Sequence, residues 1–329
     1  MDAIYAVIGF IGFLFSAAIA FFLIPWVRDR SFKANLVTVD AHKPGSPRIA
    51  EPGGIGPLLS FIFALLAALL VLTLAKNEGE VNVVLLAAVL SVVIAGFIGL
   101  LDDVFKIRWR DKIFLGFLPA LPLMALRVGT STVEVPFIGV VDFEIWFSLL
   151  IIPLAVNFAF NSFNMLAGYN GLEMGSGLIS LTTILIAGLI VGSSDVVIFV
   201  SCMLGGILAL LWFNWYPAKI LVGDTGTLVV GTAIIVALII GNLERLAPGI
   251  FFLYFINFLL IFVYKATGQT VSVSTIDQDG YLSVPCPYTV YWILPYFLKI
   301  RERANVLILL SLQAICCIAS LVLFVIFVP

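Results

Sequence analysis

The feature that most constrains this chain is a succession of ten apolar stretches, each near the twenty or so residues that a bilayer's hydrocarbon core demands of a helix. They run roughly over 3–26, 54–75, 82–101, 112–128, 145–163, 171–192, 194–212, 226–242, 248–265 and 304–328. Hydrophobic residues make up 62% of the 329 and charged residues only 11%, far outside the soluble range. The fold class that follows is an all-α integral membrane protein of about ten transmembrane helices, multi-pass and surrounded by lipid. The fourth stretch is short and holds Pro119 and Pro122, which predicts a kink. The first is too long, and too lightly charged in front, to be a cleaved signal peptide. With no internal repeat or low-complexity tail, residues 1–329 read as a single transmembrane domain.

The cations test this division. Arg28, Arg30, Lys33, Lys43, Arg48, Lys106, Arg108, Arg110, Lys112, Lys219, Lys265, Lys299, Arg301 and Arg303 fall in loops on one side, against Lys76, Arg127 and Arg245 on the other. Cytoplasmic loops carry such an excess, so both termini are expected outside. The net charge of −2 gives no reason to expect a nucleic-acid partner. Cys202, Cys286, Cys316 and Cys317 have neither metal-ligand spacing nor a disulfide pattern.

The polar residues that could do chemistry gather at the cation-rich face. The third stretch ends in two adjacent carboxylates, Asp102 and Asp103, followed by Lys106, Arg108, Arg110 and Lys112. Neighbouring acids at a membrane exit repel each other and call for a divalent cation, a proton or nearby ammonium groups. Asn157, Asn161 and Asn164 are spaced to share one helix face, and Asn157 suits a hydrogen bond between helices. Gly168 and Gly171 bracket a turn that presents Asn170. Asp224, between Gly223 and Thr225 just before an apolar helix, suits an N-cap as well as a functional carboxylate. A Gly/Pro-rich first loop carries Lys43 and Arg48, suited to anionic lipid or phosphate, and Glu51, suited to a polar ligand. His42 in that loop reads as a surface residue rather than a ligand or base. Alternating residues predict one hairpin between Arg127 and Glu144 and another over Thr270 to Pro285. Tyr288, Tyr291, Trp292, Tyr296 and Phe297 then suit a segment lying in the membrane interface, or an aromatic belt for the tenth span.

Four ordered motifs, Leu101-Asp102-Asp103, Arg108-Trp109-Arg110-Asp111-Lys112, Asn161 through Glu173, and Asn214-Trp215-Tyr216-Pro217 with Gly223-Asp224-Thr225, resemble the polyprenyl-phosphate N-acetylhexosamine-1-phosphate transferases. The chain is most similar to their dolichyl-phosphate N-acetylglucosamine phosphotransferase branch, since the bacterial branch usually has Asp-Gly where Ala167-Gly168 stands here. The resemblance covers about residues 25–265. It implies a catalytic domain that transfers a hexosamine-1-phosphate from a UDP-sugar, such as UDP-N-acetylglucosamine, to a polyprenyl or dolichyl phosphate. The products are a lipid-diphospho-sugar and UMP, at the cytoplasmic face of the cell membrane or endoplasmic reticulum, as a first step of lipid-linked glycan assembly. It further implies Mg²⁺, with Mn²⁺ as a substitute, held by Asn164 and Asp224. Asp102 and Asp103 match an acidic pair proposed to orient or deprotonate the lipid phosphate, Lys112 a phosphate-binding lysine, Asn170 a residue near uracil, and Glu51 a carboxylate near the nucleotide-sugar. Asn161 is grouped with the substrate-binding set, and a homodimer is an open arrangement.

Two departures stand out. Members of this branch carry a Pro-Arg-His-Arg motif in the last loop, where this chain has Ser283-Val284-Pro285-Cys286-Pro287-Tyr288-Thr289 and nothing basic between Lys265 and Lys299. Leu221 stands where an aromatic residue can stack on uracil. The expectation is that the last loop covers the sugar-diphosphate through backbone donors and Ser283 or Thr289, with Arg48 or Lys43 supplying charge. The competing class is a transporter or flippase for an anionic solute or lipid-linked sugar, where charges usually lie at mid-membrane and inverted repeats are common; neither feature is seen here. The altered last loop also leaves a non-catalytic relative in play.

Overall fold

The computed structural model describes residues 3–75, 82–135, 139–266 and 274–327, and it is built almost wholly of helices. It begins with α1 (Ala3–Lys33), after which the first loop closes into a hairpin of β1 (Val37–Val39) and β2 (Arg48–Ala50). That hairpin was not foreseen. α2 (Ile55–Ala75) and α3 (Val83–Phe105) follow. The expected fourth span is three short helices in succession: α4 (Trp109–Leu115), a 3-10 turn (Leu118–Ala120) and α5 (Leu121–Ala125). The breaks fall beside Pro119 and Pro122, which lack the backbone donors that a continuous helix needs.

The expected hairpin after it pairs β3 (Thr132–Val135) with β4 (Gly139–Asp142); its Pro136 break, like Lys76, lies outside the described residues. A π-helical turn (Phe147–Ile151) leads into α6 (Ile152–Met165), then α7 (Leu172–Val191), α8 (Ser194–Asn214) and α9 (Gly223–Gly241). The ninth span is bent by 55° where Glu244–Ile250, ending in α10 (Ala247–Ile250), meets α11 (Phe252–Ala266). In the last loop β5 (Thr275–Ile276) pairs with β6 (Leu282–Ser283), and residues 270–273 of the expected hairpin lie outside the described residues. The aromatic segment forms the short helix α12 (Val290–Phe297), ahead of α13 (Glu302–Phe327).

Among the described residues eight helices are long and apolar enough to cross a membrane, nine when the bent pair counts as one span. α1 and α3 run past their expected inner ends because Arg, Lys and Asp at the exit remain helical while their polar ends leave the apolar layer. α9 is the centre of the bundle, buried along nearly its whole length and packed by α2, α3, α6, α7 and α8. Large apolar side chains such as Phe22 on α1 and Ile315 on α13 point outward, as lipid contact requires. Inside, amides link helices directly. Asn257 of α11 donates to the Met165 carbonyl at 2.9 Å and accepts from the Val290 N–H at 2.9 Å, tying α6, α11 and α12 together.

Candidate functional site

α3 and α9 pack side by side, and the end of α3 lies beside the start of α9 at the face that carries Asp102. Their backbones touch there: a Cβ added to Gly99 would lie 2.5 Å from the Thr225 Cα, so only glycine permits this approach. Asp103 is buried at the contact and caps α9 from the neighbouring helix. Its carboxylate accepts from the Asp224 N–H at 2.7 Å, the Thr225 N–H at 3.0 Å and the Thr225 hydroxyl at 2.5 Å. These are the orphan donors of a helix N-terminus, where the macrodipole also favours an anion. Gly223 reaches this arrangement at φ +69°, and its missing Cβ leaves room for the Asp103 carboxylate. The N-cap expected of Asp224 is thus supplied by Asp103. Asp224 sits inside the first turn, and its side chain is released to face other groups.

Those groups are the ones singled out by sequence. The Lys112 ammonium bridges the Asp102 carboxylate and Asp224 Oδ1, the latter at 2.9 Å. Asn164 donates through Nδ2 to the same Asp224 oxygen at 2.6 Å, while its own Oδ1 accepts from the Thr227 hydroxyl at 3.0 Å. The other Asp102 oxygen accepts from the Ile107 N–H at 2.8 Å, folding the chain back after α3 so that Lys112 can reach the acids. Two carboxylates therefore share one ammonium, with the Asp103 carboxylate close by at the α9 terminus, an arrangement that favours added positive charge. Among the described residues no three His, Cys, Asp or Glu side chains converge on a common metal position. Asp224 offers part of a hard-oxygen shell, and Asn164 would add an oxygen once its amide turns over, since its Oδ1 here accepts from Thr227. That fits a cation such as Mg²⁺, which commonly takes one or two protein ligands and completes its shell from phosphates and water.

Beside the cluster opens a cavity of about 310 Å³, walled by Asn164, Asp224, Glu51, Asn170, Glu173 and Leu221 among others. Glu51 holds Lys106 at its rim through a 3.0 Å ion pair. Partial burial works against the charge on Lys106, but the Glu51 carboxylate outweighs it and holds this ammonium above its ordinary pKa. Glu173 accepts from the Gly168 N–H at 2.7 Å and shapes the turn above the pocket. The sequence names Glu173 and Lys106 without giving either a place at this cavity, and it gives no role to Thr227. An acid in the first turn of an apolar helix was the signal available for Glu173.

Four expected residues lie elsewhere. Asn161 donates to the Asn157 carbonyl at 3.0 Å and to Asn157 Oδ1 at 2.8 Å, while Asn157 donates to the Ile113 carbonyl at 2.7 Å. It belongs to the amide link between α6 and α4. Lys43 is buried in an ion pair with Glu302 at 2.5 Å. Arg48 is bonded to Asn35 at 2.7 Å and lines a separate crevice of about 420 Å³. Ser283 stands exposed on β6, clear of the 310 Å³ cavity. The reason lies in how the last loop docks: its hairpin faces the first loop, and His42 Nε2 meets the Ser274 hydroxyl at 2.7 Å. Thr289 is buried at the start of α12. His42 is not the surface residue expected. It packs edge-on against Tyr169 at 4.9 Å, and burial, opposed by Asp40 and reinforced by Lys43, lowers its pKa to about 4.

Comparison with known proteins bears on this geometry. Residues 84–242 match the family described as Glycosyl transferase family 4. A Saccharolobus solfataricus protein, provisionally named UDP-N-acetylglucosamine–dolichyl-phosphate N-acetylglucosaminephosphotransferase, is 33% identical over 94% of this chain and 95% of its own length. The Dictyostelium discoideum protein of that name is 31% identical over 74% of this chain and 68% of its own. A phospho-N-acetylmuramoyl-pentapeptide-transferase of Clostridium beijerinckii is 28% identical, with 79% of this chain and 82% of its own covered.

Proposed function

From a chain that belongs to glycosyl transferase family 4, we propose an integral membrane enzyme that moves N-acetylglucosamine 1-phosphate from UDP-N-acetylglucosamine to a dolichyl or related polyprenyl phosphate. An oxygen of the lipid phosphate attacks the β-phosphorus, the bond from that phosphorus to the bridging oxygen breaks, and UMP leaves with that oxygen. One observation carries the reading: Asp102, Lys112, Asn164 and Asp224, from four separate stretches, form one bonded cluster at the wall of a polar cavity. Phosphoryl transfer asks the protein chiefly for positioning and for positive charge where negative charge develops.

In this assignment the Lys112 ammonium leaves its two carboxylates for the phosphates, keeping its charge while its partners change. Asp224 and the Asn164 amide oxygen would hold Mg²⁺. When bound, that ion neutralises and polarises the diphosphate. Asp103 acts by holding the α9 terminus, and with it Asp224, in place. Lipid phosphate is largely ionised at neutral pH, so attack needs little help from a base. Asn170 and Leu221 line the cavity and would border the uracil, with Glu51 toward the nucleotide-sugar.

The bias of cations toward the Asp102 face supports a cytoplasmic site with both termini outside, and the same fold serves the cell membrane or the endoplasmic reticulum. The whole chain acts as one catalytic domain, as a monomer or a homodimer. The deciding experiment is purified protein in detergent or nanodiscs with UDP-N-acetylglucosamine, dolichyl phosphate and Mg²⁺. Release of UMP in step with lipid-diphospho-sugar supports the assignment. Absence of both products, with the protein folded, overturns it.

A further inference from the structure

We propose that Glu302 is a positioning residue for the donor sugar nucleotide, acting through a buried ring of polar groups that forms the back of the pocket wall. The inference rests on the transferase reading above and adds to it a residue from the last span, far in sequence from every motif. The ring closes through four residues, one of its links made by a backbone N–H. The Asn170 N–H donates to Glu302 Oε1 at 2.8 Å, and Lys43 bonds Glu302 Oε2 at 2.5 Å. Lys43 also pairs with Asp40 Oδ2 at 3.3 Å, and that same oxygen accepts from Asn170 Nδ2 at 3.2 Å. Exposure is 5% for Asp40, 6% for Lys43, 5% for Asn170 and 3% for Glu302, so the ring is shielded from water.

Its placement gives it a role beyond holding the fold. Asn170 faces the 310 Å³ cavity, whereas Asp40 and Lys43 line the 420 Å³ crevice on the other side. The ring is the partition between them. The remaining Asn170 oxygen accepts from the Ala218 N–H at 3.0 Å, which draws in the turn between α8 and α9 as well. Lys43 also lies over the Tyr216 ring of that turn at 4.5 Å. The first loop, the turn between α8 and α9, and the start of α13 therefore fix one asparagine. Buried ion groups add little stability over well-packed apolar residues of like volume, and their better-attested use is to hold one arrangement. Here the arrangement held is the wall that a nucleotide would touch, while the acids and Lys112 stand on other elements. Loosening the ring should weaken donor binding and spare acceptor binding.

The test measures UMP release in wild type, Glu302→Gln, Glu302→Ala and Glu302→Gln with Lys43→Met, varying each substrate in turn and recording thermal midpoints. Glu302→Ala removes the acceptor for the Asn170 N–H and is expected to raise KM for UDP-N-acetylglucosamine about tenfold, the effect of one charge-assisted hydrogen bond. KM for the lipid phosphate and kcat stay within about twofold. Glu302→Gln keeps a carbonyl for Asn170 and shows a smaller rise. The double variant removes the whole Lys43–Glu302 pair, leaving Asp40 to the Asn170 amide, and decides the matter if Glu302→Ala fails to fold. A donor KM within twofold of wild type in a folded Glu302→Ala or double variant would overturn the assignment. So would equal losses in both KM values and kcat that track the thermal midpoint, since that marks a role in stability alone. A wild-type protein that releases no UMP would instead refute the transferase reading itself.

Discussion

Replacing Asp103 with Asn separates two roles that sequence alone assigns to the same carboxylate. In the structure Asp103 accepts three hydrogen bonds at the N-terminus of α9, at 2.7, 3.0 and 2.5 Å. An asparagine offers one oxygen, so its amide nitrogen would face backbone donors with donors. Hydrogen bonds to a charged group are worth about 1.5–3 kcal/mol each, and an anion at a helix N-terminus adds about 0.3–1 kcal/mol, up to ~2 when partly buried. Losing one bond and the charge, while the Thr225 hydroxyl turns to a new partner, puts Asp103→Asn about 2–4 kcal/mol below wild type. Asp224→Asn should cost far less, because Asp102 keeps Lys112 paired and the Asn164 amide can turn to meet the new group. The assay pairs urea or thermal unfolding of the detergent-solubilised protein with UMP release by the folded fraction. The expected outcome is a large stability loss in Asp103→Asn with residual turnover, and little stability loss but abolished turnover in Asp224→Asn. A fully stable, fully inactive Asp103→Asn would refute the capping argument and return this residue to the chemistry.

Chelation with EDTA should stop the reaction and Mg²⁺ or Mn²⁺ restore it. Asn164→Ala should shift the metal concentration for half-maximal rate upward by tenfold or more, and an unshifted titration removes Asn164 from the metal. Lys106→Ala should weaken UDP-N-acetylglucosamine binding by about 0.2–1 kcal/mol, a modest loss because this rim cation is mostly exposed and already paired with Glu51. An unchanged donor KM would exclude Lys106 from the diphosphate. His42 binds its proton less readily in the folded state, at about pH 4 against an ordinary 6.5. Between those values the unfolded chain takes up the proton first, so the contribution present above pH 6.5 is lost as pH falls toward 4, about 3 kcal/mol in all. Unfolding midpoints from pH 7 to 5 should therefore fall more steeply in wild type than in His42→Gln, and parallel curves would show that His42 is not the titrating group.

The spans were legible because twenty apolar residues between polar ends leave few alternatives. The fourth was legible only as a kink, since prolines mark where hydrogen bonds fail but not how many pieces result. The cluster was legible in its members: Asp102, Lys112, Asn164 and Asp224 were all named from motif and placement. Their division of labour was not. Nothing in Gly-Asp-Thr announces that the cap of α9 comes from another helix, because that depends on how closely Gly99 lets the backbones approach. Lys43 misled for a related reason. A basic residue in a Gly/Pro-rich loop looks solvent-facing, and its burial is decided by Glu302, 259 positions away. Glu302 itself, at the start of an apolar helix, reads locally as nothing more than a first-turn acid.

This reassignment of cations changes how the missing arginines of the last loop are to be understood. Lys43 is spent on the ring behind Asn170, and Arg48 is directed into a different crevice. The last loop, anchored to the first through His42 and Ser274, brings no cation of its own between Lys265 and Lys299. At the 310 Å³ cavity that leaves Lys112 inside the acidic cluster and Lys106 at the rim, both already facing carboxylates. Among the described residues, no free positive charge lines this cavity to meet a diphosphate arriving there. It must compete with Asp102, Asp224 and Glu51 for the two ammonium groups, and each exchange returns a carboxylate without its partner. Under the proposed function a divalent cation held by Asp224 would offset that competition, since it would take up the carboxylate charge that Lys112 gives up. Donor binding and metal binding are therefore expected to be coupled in this chain: UDP-N-acetylglucosamine should bind more weakly as Mg²⁺ is withdrawn, and a donor KM independent of Mg²⁺ would refute the coupling.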